Sequence, residues 1–278
     1  MNIKEFALNI NFPEELMIQI DSIIKNDLTD VKKCFDKFIQ GDNDSCDELN
    51  KVYNDEKNVH LVWLYLYFNE CLNTYNKYKQ LGIDDKVFFD TMGIFTRSVL
   101  ENKNRTGEYY FNIQWWTQRQ VNMILFRLGM LEYEFQTSVD DIVINNEVAV
   151  KAGDKLLSVH IPSDVSLTKE GIEESYLLAR NFMNKYFKEY NNAYFVCSTW
   201  LLSVDLENLL PNNSKLKYFR DDYTIFNSED NNSYKLWLFG NEKLEVKDYP
   251  ENTSLQRNVK KHLLNGGMLR NSIGIILK

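Results

Sequence analysis

Over residues 13 to about 136, apolar side chains recur every three to four positions, the spacing of helices with one buried stripe. Leu16, Ile20, Ile23 and Ile24 form the first stripe, with Pro13, Glu14 and Glu15 suited to a helix's first turn. Val31, Phe35 and Phe38 mark a second helix that stops near Gly41, and residues 41–45 read as a turn. Across residues 59–78, Leu61, Trp63, Leu64, Leu66, Tyr67, Phe68, Cys71 and Leu72 wrap most of the circumference, which predicts the most buried helix. After Gly82 another helix is expected from Asp84 through Phe88, Met92, Phe95 and Val99. Residues 105–110 read as a polar loop. Trp115-Trp116 then opens a helix expected to run through Leu125, Phe126 and Leu128 and on into residues 131–135.

At Thr137 the period drops to two. Residues 141–144 and 148–150 flank Asn145-Asn146, a pair suited to the positive φ of a hairpin turn, and residues 155–160 form a third strand. Pro162, Ser163 and Asp164 lead into a helix starting near Leu167-Thr168, apolar at Ile172, Tyr176, Ala179, Met183 and Phe187. Residues 193–199 read as a strand buried on both faces. A short helix over residues 205–210 closes at Pro211, and Asn213-Ser214 caps another through Leu216 and Phe219. Residues 223–226 and 234–239 read as two strands around a polar turn, and the tail as a helix over 253–264, a Gly266-Gly267 stop and a strand over 273–277. The expected fold is therefore α+β. A helical N-terminal domain, 1–136, packs without a flexible linker on a mixed β-sheet domain with flanking helices, 137–278.

Composition narrows the class. The 278 residues are 44% hydrophobic and 26% charged, as in soluble globular proteins. No charged-then-apolar leader opens the chain, and its apolar runs are too short to span a bilayer. The four cysteines, Cys34, Cys46, Cys71 and Cys197, lack metal-ligand spacing and read as free thiols of a reducing cytoplasm. A formal charge of −8 argues against nucleic-acid binding and is compatible with a cationic substrate.

The strand, loop and helix N-terminus around His160 have the geometry that binds an anion, because unpaired N–H groups and the positive dipole end converge there. Ser163, Ser166 and Thr168 are the candidate contacts, with simple helix capping as the alternative. His160 ends its strand with an imidazole whose free pKa lies near operating pH, a base or a loop-tying hydrogen bond. Cys197 reads as a small buried residue rather than a nucleophile.

The element order of the second half resembles the GNAT acyltransferase fold from its second strand onward, although Ile161-Pro162-Ser163-Asp164-Val165-Ser166 replaces the usual glycine-rich signature. More narrowly, the chain resembles two-domain bacterial acyltransferase-like proteins. The stretches are Arg105-Thr106-Gly107, Trp115-Trp116-Thr117, Leu125-Phe126-Arg127-Leu128-Gly129, Leu131-Glu132-Tyr133-Glu134, His160-Ile161-Pro162, Ser198-Thr199-Trp200-Leu201-Leu202, Leu209-Leu210-Pro211 with Ser214, and Thr253-Ser254-Leu255-Gln256-Arg257 with Gly266-Gly267. They keep their order over about the last two-thirds of the chain.

The resemblance implies transfer of an acyl group from acyl-CoA to an amine of a small molecule or peptide, with coenzyme A as co-substrate and no metal. It implies His160 as general base and Tyr218 as donor to the leaving thiolate. Ile161, Ser163, Ser166, Thr168, Ser198 and Trp200 would line the CoA site. Arg127, Glu132 and Glu134 would recognise the substrate amine or form an ion-pair network between the halves. Two other readings share the cleft or the fold: a non-catalytic module that binds a CoA ester or other small ligand, and a partner-docking protein. Oligomeric state stays open.

Overall fold

A computed structural model describes residues 1–24, 27–53, 55–211 and 214–277. The chain divides into two compact units, Met1–Leu128 and Gly129–Lys278. The first is helical: α1 (Ile3–Asn9), α2 (Glu14–Ile23), α3 (Thr29–Ile39), α4 (Asp44–Val52), α5 (Val59–Leu81), α6 (Asp85–Met92), α7 (Ile94–Thr106) and α8 (Gln114–Val121), ending in the strand β1 (Leu125–Leu128). Helix α5 is the axis of this unit, as its all-round apolar pattern predicts. Trp63, Tyr67 and Phe68 are fully buried. Edge-to-face rings meet them from α3 (Phe35–Tyr67 5.1 Å, Phe38–Trp63 5.0 Å) and α1 (Phe6–Phe68 5.1 Å), a preferred aromatic geometry.

The helical pattern ends earlier than expected. Residues 125–135 are not helical: α8 stops at Val121, Met123 takes a left-handed conformation (φ 57°), and β1 follows. After a turn at Gly129 (φ 72°) the strand β2 (Leu131–Thr137) begins. Leu131, Tyr133 and Phe135 alternate with Glu132, Glu134 and Gln136, so these residues already carry the period of two. Two further helices lie outside the expected pattern. Helix α1 is short but held by a capping box between Asn2 and Glu5, and α4 begins inside the stretch read as a turn. The helix expected from Asp84 to Val99 is two, α6 and α7, separated at Gly93.

The second unit contains β2, β3 (Ile142–Ile144), β4 (Glu147–Val150), β5 (Lys155–His160), α9 (Lys169–Tyr186), β6 (Tyr194–Thr199), α10 (Leu216–Asp221), β7 (Thr224–Glu229), α11 (Ser233–Phe239), α12 (Ser254–Leu264) and β8 (Asn271–Ile276). Its sheet runs in the order β2-β5-β6-β8-β7, with β5 and β6 parallel and the other neighbours antiparallel. The β3–β4 hairpin turns at Asn145 and Asn146, both at positive φ. Its Ile142 and Ile144 cover one sheet face with Val150, Leu156, Val196 and Ile275.

Helix α9 covers the other face. Ser175 Oγ receives the Leu131 N–H and lies 3.0 Å from the Tyr133 hydroxyl, and Tyr176 stacks on Phe195. A cluster of Trp200, Leu206, Leu210, Tyr234, Phe239, Tyr249, Val259 and Leu269 packs the segments after β6 with α11 and α12.

Residues 234–239 form a helix, not the expected strand. Tyr234 and Phe239 face the cluster while Trp237 is exposed, a one-sided helical stripe, and Gly240 ends it in the left-handed conformation. The helix expected over 205–210 is a single 3-10 turn, Val204–Leu206, and Asn213 lies outside the described residues.

One polar clasp ties the segment after β6 to the start of β8. Asp205 accepts from the Arg270 backbone N–H (3.1 Å), from its Nε (3.1 Å) and from its Nη2 (2.8 Å). These bonds hold the Asp205 carboxyl below the usual carboxylate range. A depressed folded pKa gives stability that is present above the unfolded value, about 3.9, and lost as pH falls through the folded value. Asp205→Ala should therefore lower stability by about 2 kcal/mol at neutral pH, the scale of charge-assisted hydrogen bonds. Urea titrations of mutant and wild type should converge as the pH drops below about 4. A difference that persists undiminished in acid would assign the effect to packing instead.

Candidate active site

The site is built where two strands stop pairing. β5 and β6 are joined only at Leu156↔Tyr194, Leu157↔Phe195 and Ser158↔Val196. Beyond that point each strand continues, but with its outer neighbour: β5 with β2 as far as Glu132↔His160, and β6 with β8 as far as Thr199↔Ser272. A wedge opens between residues 159–160 on one side and 197–199 on the other.

Alternation decides what faces it. His160 stands two residues past Ser158, and Ser198 two past Val196, so both project from the same sheet face on opposite sides of the wedge. Glu132 and Glu134 share that face on β2. His160 Nε2 lies 2.9 Å from Glu134 Oε2, with 26% and 12% of the two side chains exposed. The carboxylate fixes the ring while leaving it within reach of solvent. Glu132, directly opposite His160 in register, is buried.

Across the wedge, Ser198 is exposed, and its Oγ accepts a 2.8 Å hydrogen bond from Asn271 Nδ2. The same nitrogen donates to Glu229 Oε1 at 3.3 Å. Asn271 and Glu229 escaped the sequence reading because they come from β8 and β7, far along the chain from His160. Cys197 projects to the α9 face and is 1% exposed. Burial pushes its thiol well up, so it stays protonated at neutral pH and is no nucleophile.

The other sequence candidates fall into three places. Ile161 and Pro162 continue from His160 into the loop, where Ser163 and Ser166 are exposed. Thr168 caps α9, its Oγ1 accepting from the Gly171 N–H (3.2 Å) and its carbonyl from the Ile172 N–H (2.9 Å). Trp200 is buried in the cluster behind β6. Tyr218 is 53% exposed on α10 and takes part in none of these hydrogen bonds. Arg127 lies on β1 in the first unit, its N–H bonded to Thr91 Oγ1 at 3.0 Å.

A separate cavity of about 270 Å³, lined by Tyr176, Leu177, Arg180, Phe195, Asp222 and Ile276, opens on the α9 face. It is on the side of the sheet away from His160 and has no part in the polar group described above. Among the described residues, no cluster of three His, Cys, Asp or Glu side chains is arranged to hold a metal ion. No helix among them is long and apolar enough to cross a membrane.

Comparison with solved structures returns acyltransferases. One, in complex with decanoyl-CoA and teicoplanin, superposes with a TM-score of 0.70 at 23% identity over 81% of this chain and 69% of its own. Another, an acyltransferase mutant in complex with octanoyl-CoA, gives a TM-score of 0.79 at 19% identity over 99% of this chain and 87% of its own. At these identities the likeness concerns the fold. No curated protein matches the chain. Family comparison matches residues 1–123 to the N-acyltransferase N-terminal domain and residues 125–276 to the GNAT-like C-terminal domain. This chain belongs to the family in which an N-acyltransferase N-terminal domain is followed by a GNAT-like C-terminal domain.

Proposed function

We propose that this protein transfers an acyl group from acyl-CoA to an amine of a small molecule or peptide, with His160, held by Glu134, as the base. The observation that carries the reading is the wedge between β5 and β6 with that pair at its mouth. An extended ligand arm can hydrogen-bond to strand edges that have no strand partner, as a peptide does when it augments a sheet. The pantetheine arm of CoA, with its two amides, has that chemistry.

In the reaction the amine nitrogen attacks the thioester carbonyl carbon. The proton it sheds passes to the His160–Glu134 pair, the C–S bond breaks, and CoA leaves as a thiolate. A carboxylate on the imidazole stabilises the charge the ring acquires. The loop over residues 161–168 and the N-terminus of α9 are where we place the pyrophosphate, with Ser163 and Ser166 exposed to reach it. Fold relatives in complex with octanoyl-CoA, decanoyl-CoA and teicoplanin make those two thioesters the first donors to try and teicoplanin the first acceptor. Four free cysteines support a cytoplasmic setting, and the resemblance to bacterial two-domain proteins supports a bacterial one.

The direct test is a thermal-shift panel of CoA and acyl-CoAs of increasing length, followed by turnover with a panel of amines. A ligand at a hundred times its dissociation constant should stabilise the fold by about 2.7 kcal/mol. No shift with any CoA thioester would refute the proposal, and binding without turnover would leave a CoA-ester-binding module.

His160→Gln should bind acyl-CoA as wild type does yet lose about 10²- to 10⁴-fold in turnover, the span of general-base catalysis. Full activity in His160→Gln would reassign the base.

Ser166→Glu should weaken CoA binding by charge repulsion, and because Ser166 is exposed the fold should tolerate it. Thr168→Glu is a poorer probe, since it also removes a helix cap of about 1 kcal/mol. Unchanged CoA affinity in Ser166→Glu would place the pyrophosphate elsewhere.

A further inference from the structure

The hydrogen bonds on the far side of the wedge constrain one hydroxyl. Asn271 is buried, and its amide nitrogen has two hydrogens and two acceptors, Ser198 Oγ and the Glu229 carboxylate. Both acceptors select the NH2 end of the amide, so Asn271 is fixed in orientation. Ser198 Oγ is thereby an acceptor, and its own hydrogen is free to point away from Asn271. A hydroxyl that accepts one hydrogen bond becomes a better donor of the next. Ser198 is exposed and shares the wedge-facing sheet face with His160. Asn271 is itself held at the head of β8 by its neighbour Arg270, which is clasped by Asp205.

We propose that Glu229 and Asn271 are positioning residues that present the Ser198 hydroxyl as a hydrogen-bond donor to the acyl oxygen of the thioester. This rests on the acyl-transfer reading and extends it to the wall opposite the base. As the amine attacks, negative charge grows on that oxygen, and a pre-aimed donor binds it more tightly than the neutral carbonyl. The serine gives up no proton and forms no covalent bond. Its contribution belongs to the transition state, so it acts on kcat rather than on the KM for acyl-CoA.

The test uses this chain with octanoyl-CoA as donor and teicoplanin as amine. Ser198→Ala should lose about 10²-fold in kcat, the lower end for loss of one oxyanion donor, with the KM for octanoyl-CoA unchanged. Asn271→Ala and Glu229→Ala should each lose a smaller factor in kcat. In the Ser198→Ala background neither should cost anything further, because both act through that hydroxyl. Glu229 is exposed, so its variant keeps the test open if the buried Asn271→Ala fails to fold.

Losses that multiply in the double variants would make Asn271 and Glu229 merely structural and overturn the proposal. Wild-type kcat in Ser198→Ala would overturn it equally. A wild type that releases CoA leaves the acyl-transfer reading intact in either case, whereas one that releases none with any amine refutes that reading and takes the relay with it.

Discussion

Three residue pairs join β5 to β6, and the rest of the site follows from where they stop. Strands normally pair along their shared length because an unmet backbone N–H or C=O away from water costs about 1–3 kcal/mol. Here the strands diverge although both remain regular. Six register positions pin β5 to β2 and five pin β6 to β8, so the wedge is held open from its outer edges. Beyond that point the two inner edges have no partner in the facing strand. An extended molecule carrying its own amides recovers bonds the sheet forgoes, and the protein need not rearrange to admit it.

Alternation turns that opening into a site with chemistry. Along β2, β5 and β6, one face carries Tyr133, Phe135, Leu157, Val159, Phe195 and Cys197 beneath or beside α9. The other carries Glu132, Glu134, Ser158, His160, Val196 and Ser198. Because the period is two, a slip of one residue in any strand would exchange the faces and bury the histidine under the helix. The Ser175 bonds to Leu131 and Tyr133 oppose such a slip in β2. Adjacent Cys197 and Ser198 show how sharp the division is. One is a thiol that burial keeps protonated, and the other is a solvent-facing hydroxyl with a fixed partner.

Much of this was legible in the chain. The all-round apolar run at α5, the Asn145-Asn146 hairpin, and the strand–loop–helix unit from Lys155 to α9 each carry a local signal strong enough to survive tertiary packing. The segment after Val121 misled for a physical reason. Leu125, Phe126 and Leu128 followed by Leu131, Tyr133 and Phe135 satisfy a helical spacing almost as well as a strand one, and only the glutamates between them break the tie. Residues 234–239 reversed in the same way, because a short aromatic run has no period of its own. His160 was visible as a strand-end imidazole, but its carboxylate partner was not. Glu134 reaches it only through antiparallel register, which sequence spacing does not encode. Asn271 and Glu229 were invisible for the same cause, amplified by distance along the chain.

The loop before α9 lacks the glycine-rich signature: residues 161–166 contain no glycine. The glycine that does stand near the start of α9 is Gly171, and a Cβ there would lie 2.1 Å from the methyl of Met130. That glycine permits the approach of the β2 lead-in to the helix, and its N–H is already taken by Thr168. Neither its missing side chain nor its amide is therefore at the disposal of a phosphate. In the proposed reading the anion would instead meet the residues before the cap, where Ser163 and Ser166 are exposed. Hydroxyls on side chains must be ordered on binding, which costs rotamer entropy that a preformed backbone nest does not. If the pyrophosphate sits here as proposed, it would contribute less to affinity than in a glycine-lined loop, and more would have to come from the strand edges of the wedge and the acyl chain.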